Sequence, residues 1–202
     1  MAKLYFRYGT MDSAKSMNLL AVAHNYRKQG KRVLLVKPRV DSRFGTDKIS
    51  SRSGLEATAD LLIDHDTVLD PRDFANLDCV LVDEAQFLTR DHVLQLCRVT
   101  DDLGIPVLCY GLRTDFQGNL FEGSAALLAL ADNMVELKAV CECGRKATMN
   151  LRVDAEGHAV AAGAQTEIGG NDRYVALCRR HFFERLKEGE ARQLTLGLPR
   201  RP

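Results

Sequence analysis

Between a short run of aromatic and aliphatic residues, Lys3 to Tyr8, and a stretch from Lys15 to Gln29 without Pro or Gly, the chain reads Gly9-Thr10-Met11-Asp12-Ser13-Ala14-Lys15-Ser16. A strand, a tight loop and a helix in this order constrain the fold strongly, and the loop departs by one letter from G-x-x-x-x-G-K-[ST]. In such a loop, backbone N–H groups and the positive end of the helix dipole surround a phosphate. Lys15 is then expected to meet the outer phosphates and Ser16 to ligate Mg²⁺. Ala14 stands where the motif has its second glycine. A methyl group costs about 1 to 2 kcal/mol if the backbone there is left-handed. We expect instead a right-handed first helical turn, which alanine fits easily.

Further apolar runs follow at Arg32 to Pro38, Cys79 to Asp83 and Pro106 to Gly111, and they read as strands buried on both faces. Helical stretches are expected over Ala14–Gln29, Pro71–Asn76, Thr89–Leu103 with Thr89 as N-cap, and Ser124–Ala131. The alternation predicts an α/β fold: a mostly parallel sheet flanked by helices and joined by right-handed crossovers. Asp41 to Gly54, rich in Arg, Ser and Gly, reads as a surface loop near the phosphate site. From about Lys138 the style changes to Cys, Gly, Thr and alternating residues such as Ala147 to Val153, which predicts short antiparallel strands. We therefore expect a nucleotide-binding α/β domain over 1–137, a small β domain over 138–190 with a helix from Arg179 to about Lys187, and a fraying tail over 191–202.

Lys and Arg number 28 against 27 Asp and Glu in 202 residues, for a net charge of +1. No strong field draws such a chain to nucleic acid or an anionic membrane, so a small ligand is expected. Without a leader or an apolar run near the ~20 residues that span a bilayer, a soluble cytoplasmic protein is expected.

Asp83-Glu84 closes the apolar run at 79–82, where open α/β sheets place their ligands. Asp83 is positioned to hold Mg²⁺ opposite Ser16, leaving Glu84 for proton transfer as general base. A solvated acidic pair starting a loop is the competing explanation. Arg39 and Arg43 bracket the polar segment, and either is a candidate to reach a transferring phosphoryl group or an ordinary surface arginine. Of six cysteines, Cys79, Cys97 and Cys109 read as small buried hydrophobes. Cys141-x-Cys143 and Cys178-x-x-His181 supply the four ligands of a closed tetrahedral Zn²⁺ site, with chance clustering as the rival. Four protein ligands leave no open position, so the metal's expected role is structural. His24, His65, His92 and His158 read as surface or internally satisfied histidines.

Together these residues resemble the type II thymidine kinases over nearly the whole chain. The signatures are Gly9 to Ser16, Val82-Asp-Glu-Ala-Gln-Phe87, Tyr110 to Phe121, Cys141-Glu-Cys-Gly-Arg-Lys-Ala147, and Ile168-Gly-Gly-Asn-Asp-Arg-Tyr174. The resemblance implies a P-loop, RecA-like sheet with a zinc-ribbon-like β domain carrying a lasso loop. It implies ATP-dependent phosphorylation of the thymidine 5′-hydroxyl, with Glu84 as base, Arg43 near the phosphates, and an ATP and Mg²⁺ site built from residues 9–16 with Asp83, Glu84, Ala85 and Gln86. The lasso falls on Gln165 to Asn171, so that Gln165, Thr166, Glu167, Ile168 and Gly169 are expected to read the base. Phe116 is expected on the thymine ring and Met11, Leu112 and Phe121 around its methyl group. Tyr174 closes the pocket, Asp41 lies near the sugar, and Phe87 belongs with the substrate-binding residues. A homotetramer inhibited by thymidine triphosphate is implied in the same way.

Two rival readings come from other classes. A P-loop ATPase or switch whose zinc ribbon acts on nucleic acid is disfavoured by the near-neutral charge and the lack of a basic stripe with interleaved aromatics. A nucleotide binder without turnover is prompted by Ala14 alone.

Overall fold

The computed structural model describes residues 1–41, 45–165 and 173–195, with 192–195 by backbone alone. Strand β1 (Leu4–Tyr8) leads through the loop into helix α1 (Lys15–Lys28) and then β2 (Val33–Pro38). Three short strands follow, β3 (Lys48–Ser50), β4 (Glu56–Thr58) and β5 (Leu61–Ile63). Then come β6 (Cys79–Val82), α2 (Arg90–Leu103), β7 (Val107–Gly111), α3 (Glu122–Leu130) and β8 (Asn133–Glu136). Six of these strands form one sheet in the order β5-β2-β6-β7-β1-β8, every neighbouring pair parallel.

Alternation of side chains along each strand divides the core between two faces. Cys79 and Leu81 of β6 join Leu19, Leu20 and Ala23 of α1 on one face; Val80 and Val82 join Val93 and Leu96 of α2 and Leu127 of α3 on the other. Both faces are covered, so the strands read as continuous apolar runs. Helix α2 begins in a reciprocal capping box: the Thr89 hydroxyl accepts from the His92 amide, and His92 Nδ1 accepts from the Thr89 amide, each at 3.2 Å. The His92 ring also lies 2.9 Å from the Thr67 carbonyl, so this buried histidine is internally satisfied, as expected.

Past the sheet, β9 (Ala139–Val140) and β10 (Lys146–Ala147) form a hairpin. Next, β11 (Met149–Arg152) pairs antiparallel with β12 (Tyr174–Leu177), and α4 (Arg179–Thr195) follows. Their cluster is separate from those of the sheet and centres on Leu151, Leu177 and Phe182. The antiparallel strands expected here are present.

Several local expectations are corrected. Half of a β-hairpin lies inside the supposed loop at Asp41 to Gly54, because β3 pairs with β4 and buries Ile49 against α1. The helix expected over Pro71–Asn76 is a single 3₁₀ turn, Pro71–Phe74, capped by Asp70; it stops where Ala75 turns extended and Asn76 takes φ 62°. Strands β5 and β8 carry no strong signal: one has three residues and the other is an exposed edge. The last helix runs to Thr195 instead of ending near Lys187 and includes part of the expected tail. Gly189 makes this possible, since a Cβ there would collide with the Ala159 carbonyl against which α4 lies. Among the described residues, no helix is long and apolar enough to cross a membrane.

Candidate active site and metal centre

At the carboxyl edge of the sheet, β1, β6 and β7 deliver Gly9, Asp83 and Leu112 to one place. Crowding demands the glycine: a Cβ on Gly9 would collide with Ser13 Oγ and the Leu137 carbonyl. Within the loop, the Ser13 hydroxyl donates to the Thr10 carbonyl at 2.8 Å and the Lys15 ammonium donates to the same oxygen at 2.6 Å. Asp12 and Ala14 both lie in the left-handed region, at φ 63° and 58°. Left-handed residues inside a turn bend successive N–H groups toward one side, the geometry of an anion-binding nest.

This overturns the expectation for Ala14. It is the N-cap of α1 with φ 58° and ψ 31°, not a residue of a right-handed first turn. The loop keeps the backbone that a second glycine would adopt, and the alanine bears about 1 to 2 kcal/mol of steric cost.

Opposite the loop, the Ser16 hydroxyl donates to Asp83, at 3.3 and 3.0 Å from its two oxygens. Burial above all, and then the charge of Glu84, push the Asp83 carboxyl up from its ordinary value. A buried carboxylate touching the hydroxyl that follows the loop lysine suits a hard divalent cation, whose charge would reverse that shift. The fit to Mg²⁺ is therefore good. Glu84, after Asp12 and Ala14, is a third left-handed residue at this site, with φ 47° and ψ 39°. Its side chain accepts from Gln86 Nε2, while Gln86 Oε1 accepts from the Leu112 amide at 3.0 Å. Gln86, 2% exposed, thus ties Glu84 to the end of β7.

A cavity of about 440 Å³ opens over these groups. Its walls include Met11, Asp12, Ala14, Lys15, Ser16, Asp83, Glu84, Asp41 and Leu112 of the residues singled out by sequence. The β3–β4 hairpin adds Lys48, Ser50, Ser51, Arg52 and Ser53, which sequence reasoning did not single out. Arg52 pairs with Asp12 and so joins the hairpin tip to the loop. The only sequence signal was the polar, Arg- and Ser-rich composition of that stretch. Below the hairpin, Lys37 is 1% exposed, lies 3.2 Å from Asp41 Oδ2, and donates to the carbonyls of Gly45 at 3.1 Å and Lys48 at 2.7 Å.

Other expected residues stand outside the cavity walls. Ala85 is buried under the Glu84 turn. Phe87 and Phe121 pack edge to face with centroids 5.8 Å apart. Phe116 is 1% exposed, and the Arg152 guanidinium covers its ring at 4.1 Å. Gln165 Nε2 donates to Asp115 Oδ2 at 3.0 Å, and Tyr174 opens β12 opposite Arg152. Arg43, Thr166, Glu167, Ile168 and Gly169 lie outside the described residues, as does the rest of the expected lasso to Asn171.

Cys141, Cys143, Cys178 and His181 come together, their ligand atoms all within 4.8 Å of one another. Cys143 Sγ is 3.8 Å from Cys178 Sγ and Cys141 Sγ is 3.4 Å from His181 Nδ1. Tetrahedral zinc with arms of about 2.0 to 2.3 Å requires edges of roughly 3.3 to 3.8 Å, so these separations fit that ion. Burial opposes ionisation of Cys141, yet hydrogen bonds from the backbones of Cys143 and Cys178 and from the neighbouring ligands hold its thiol below the usual range. His181 Nε2 lies 4.0 Å from Glu184 Oε2, a neighbouring carboxylate beyond hydrogen-bond reach.

The family model described as thymidine kinase matches residues 2–182. The chain is 64% identical to the thymidine kinase of Novosphingobium aromaticivorans over 189 residues, 91% of this chain and 98% of that protein. It is 55% identical to the thymidine kinase of Zymomonas mobilis, covering 92% of this chain and 98% of the relative. Against the thymidine kinase of a Jannaschia species the identity is 54%, with 91% and 96% covered.

Proposed function

Because the chain belongs to the thymidine kinase family, we propose that it transfers the γ-phosphoryl group of ATP to the 5′-hydroxyl of thymidine. The observation that carries the reading is one cavity in which the phosphate loop, the Ser16–Asp83 contact and Glu84 converge. ATP lies with its phosphates on residues 9–16, where loop N–H groups and the Lys15 ammonium balance their charge. Ser16 and Asp83 would hold Mg²⁺, which would supply charge neutralisation for the phosphates.

Glu84 accepts the proton of the attacking hydroxyl. Its left-handed backbone and its bond from Gln86 hold the carboxylate at the cavity wall, so little reorganisation is needed when the hydroxyl arrives. Asp41 and Arg43 serve the sugar and phosphate side. The nucleoside base belongs with Met11, Leu112, Phe87, Phe116, Phe121 and Tyr174, under a lasso formed by residues 165–171 that reads it through main-chain hydrogen bonds. A dry pocket gives such bonds their discrimination, because a buried polar group left unpaired costs about 1 to 3 kcal/mol. Cys141, Cys143, Cys178 and His181 would hold Zn²⁺, which would tie the small unit at 138–190 together. Family resemblance supports a cytoplasmic homotetramer inhibited by thymidine triphosphate, with no nucleic-acid partner.

The test is a panel of thymidine, deoxyuridine and deoxycytidine with ATP and Mg²⁺, beside a nucleoside-free control. Thymidine monophosphate should form fastest. Nucleoside-independent ATP hydrolysis alone would favour a motor or switch instead. Glu84→Gln should remove most turnover while ATP still binds, and full activity in that variant would overturn the base assignment.

A further inference from the structure

We propose that Asn150 is a positioning residue through which the sheet anchored by the Cys/His cluster sets the shape of the phosphate loop. This rests on reading that loop as the nucleotide site. Asn150 is 3% exposed and lies on β11, yet its Oδ1 accepts from the Met11 backbone N–H at 2.8 Å, across 139 residues of sequence. Its Nδ2 is 3.5 Å from the Thr114 carbonyl, just beyond β7. One side chain thus spans the loop after β1 and the segment after β7.

The bond falls at a sensitive point. Met11 immediately precedes Asp12, where the loop turns left-handed at φ 63°. An acceptor on the Met11 N–H fixes the peptide plane between Thr10 and Met11, and with it the entry into that turn. The same N–H is thereby committed to the protein and not to phosphate.

Behind Asn150 the connection runs to the metal ligands. On β12, Ala176 pairs with Asn150 and Leu177 pairs with Met149; Leu177 precedes Cys178. Thr148 also donates its N–H to the Leu177 carbonyl at 2.9 Å. A strand pinned at Cys178 therefore fixes the register of β11, and β11 fixes where the Asn150 amide stands. The Cys/His cluster would act on nucleotide affinity without touching the nucleotide.

The test uses the full-length zinc-loaded protein with two readouts: hydrogen exchange at the Met11 amide without ligand, and affinity for a fluorescent ATP analogue. Asn150→Leu should speed Met11 exchange at least about tenfold and weaken analogue binding about five- to tenfold, the loss of one buried hydrogen bond. Leu35 and Leu108, in the buried strands, should keep slow exchange and so report an intact fold. Asn150→Ala repeats the test if the leucine variant does not fold. Asn150→Asp keeps an acceptor for Met11 and should keep its exchange slow. Gln117→Ala removes a different contact between the two regions, Gln117 Nε2 to the Ala161 carbonyl at 3.2 Å, and should change neither readout. Unchanged Met11 exchange and analogue affinity in Asn150→Leu would overturn the proposal, as would equal effects from Gln117→Ala. Failure of the wild-type protein to bind the analogue would instead refute the nucleotide reading, with Met11 exchange still deciding the coupling.

Discussion

The Ser16 hydroxyl reaches both carboxylate oxygens of Asp83, at 3.3 and 3.0 Å, although 67 residues separate the two in sequence. The contact joins the first turn of α1 to the carboxyl end of β6 and prepares an oxygen pair for a hard cation. Ser16→Ala should leave Asp83 as the single protein ligand and raise the Mg²⁺ concentration for half-maximal rate about tenfold, the loss of one good interaction. Initial rates across a magnesium titration measure this, and an unchanged midpoint would remove Ser16 from the metal site.

Ala14 tests the strain in the loop. Replacing it by glycine relieves about 1 to 2 kcal/mol of left-handed strain, and the added freedom of the unfolded chain returns about 0.5 to 1 kcal/mol. The expected outcome for Ala14→Gly is a net gain of about 0.5 to 1 kcal/mol in urea unfolding. A loss of stability would mean that the methyl group makes a compensating contact.

Lys37 and Asp41 form a buried ion pair under the hairpin, 1% and 6% exposed. Lys37→Met removes the ammonium from beside Asp41 and takes a donor from the Gly45 and Lys48 carbonyls, so it should cost about 3 to 5 kcal/mol. Adding Asp41→Asn should recover part of that loss. Denaturant unfolding of the two variants decides it, and additive losses in the double variant would mean that the pair is not coupled.

Metal removal should be visible in thiol chemistry. Burial pushes the Cys79 thiol up to about 12 and that of Cys109 higher still, so neither should react with iodoacetamide at neutral pH. Exposed Cys143 should be protected while zinc is bound and become modified once a chelator removes about one metal per chain. Peptide mass mapping with and without chelator distinguishes the cases. Equal modification of Cys143 in both would mean that no metal is held there.

Strand runs such as Cys79–Val82 were legible because burial on both faces leaves an unbroken apolar run, and α2 because burial of one face imposes a helical period on the sequence. So were Gly9, Lys15, Ser16, Asp83 and Glu84, whose residue types carry their chemistry at fixed spacing within a local strand and loop. Strand β8 was not legible, since an exposed edge selects no apolar run. Nor was the β3–β4 hairpin, whose polar cavity-lining face looks like a loop. Asn150 and Lys37 gave no signal either, because each acts on backbone groups and a backbone partner leaves no trace in residue identity.

The parallel α/β core, the Gly9–Ser16 loop and the Cys141, Cys143, Cys178 and His181 quartet were readable from the chain alone, because apolar runs and local spacing encode them directly. The left-handed backbones of Ala14 and Glu84, the hairpin that walls the cavity and the bond from Met11 to Asn150 arise only when the chain is folded. Backbone hand depends on how a loop is packed, and contacts across 139 residues depend on which strands lie side by side. Neither is set by the residues adjacent in the chain.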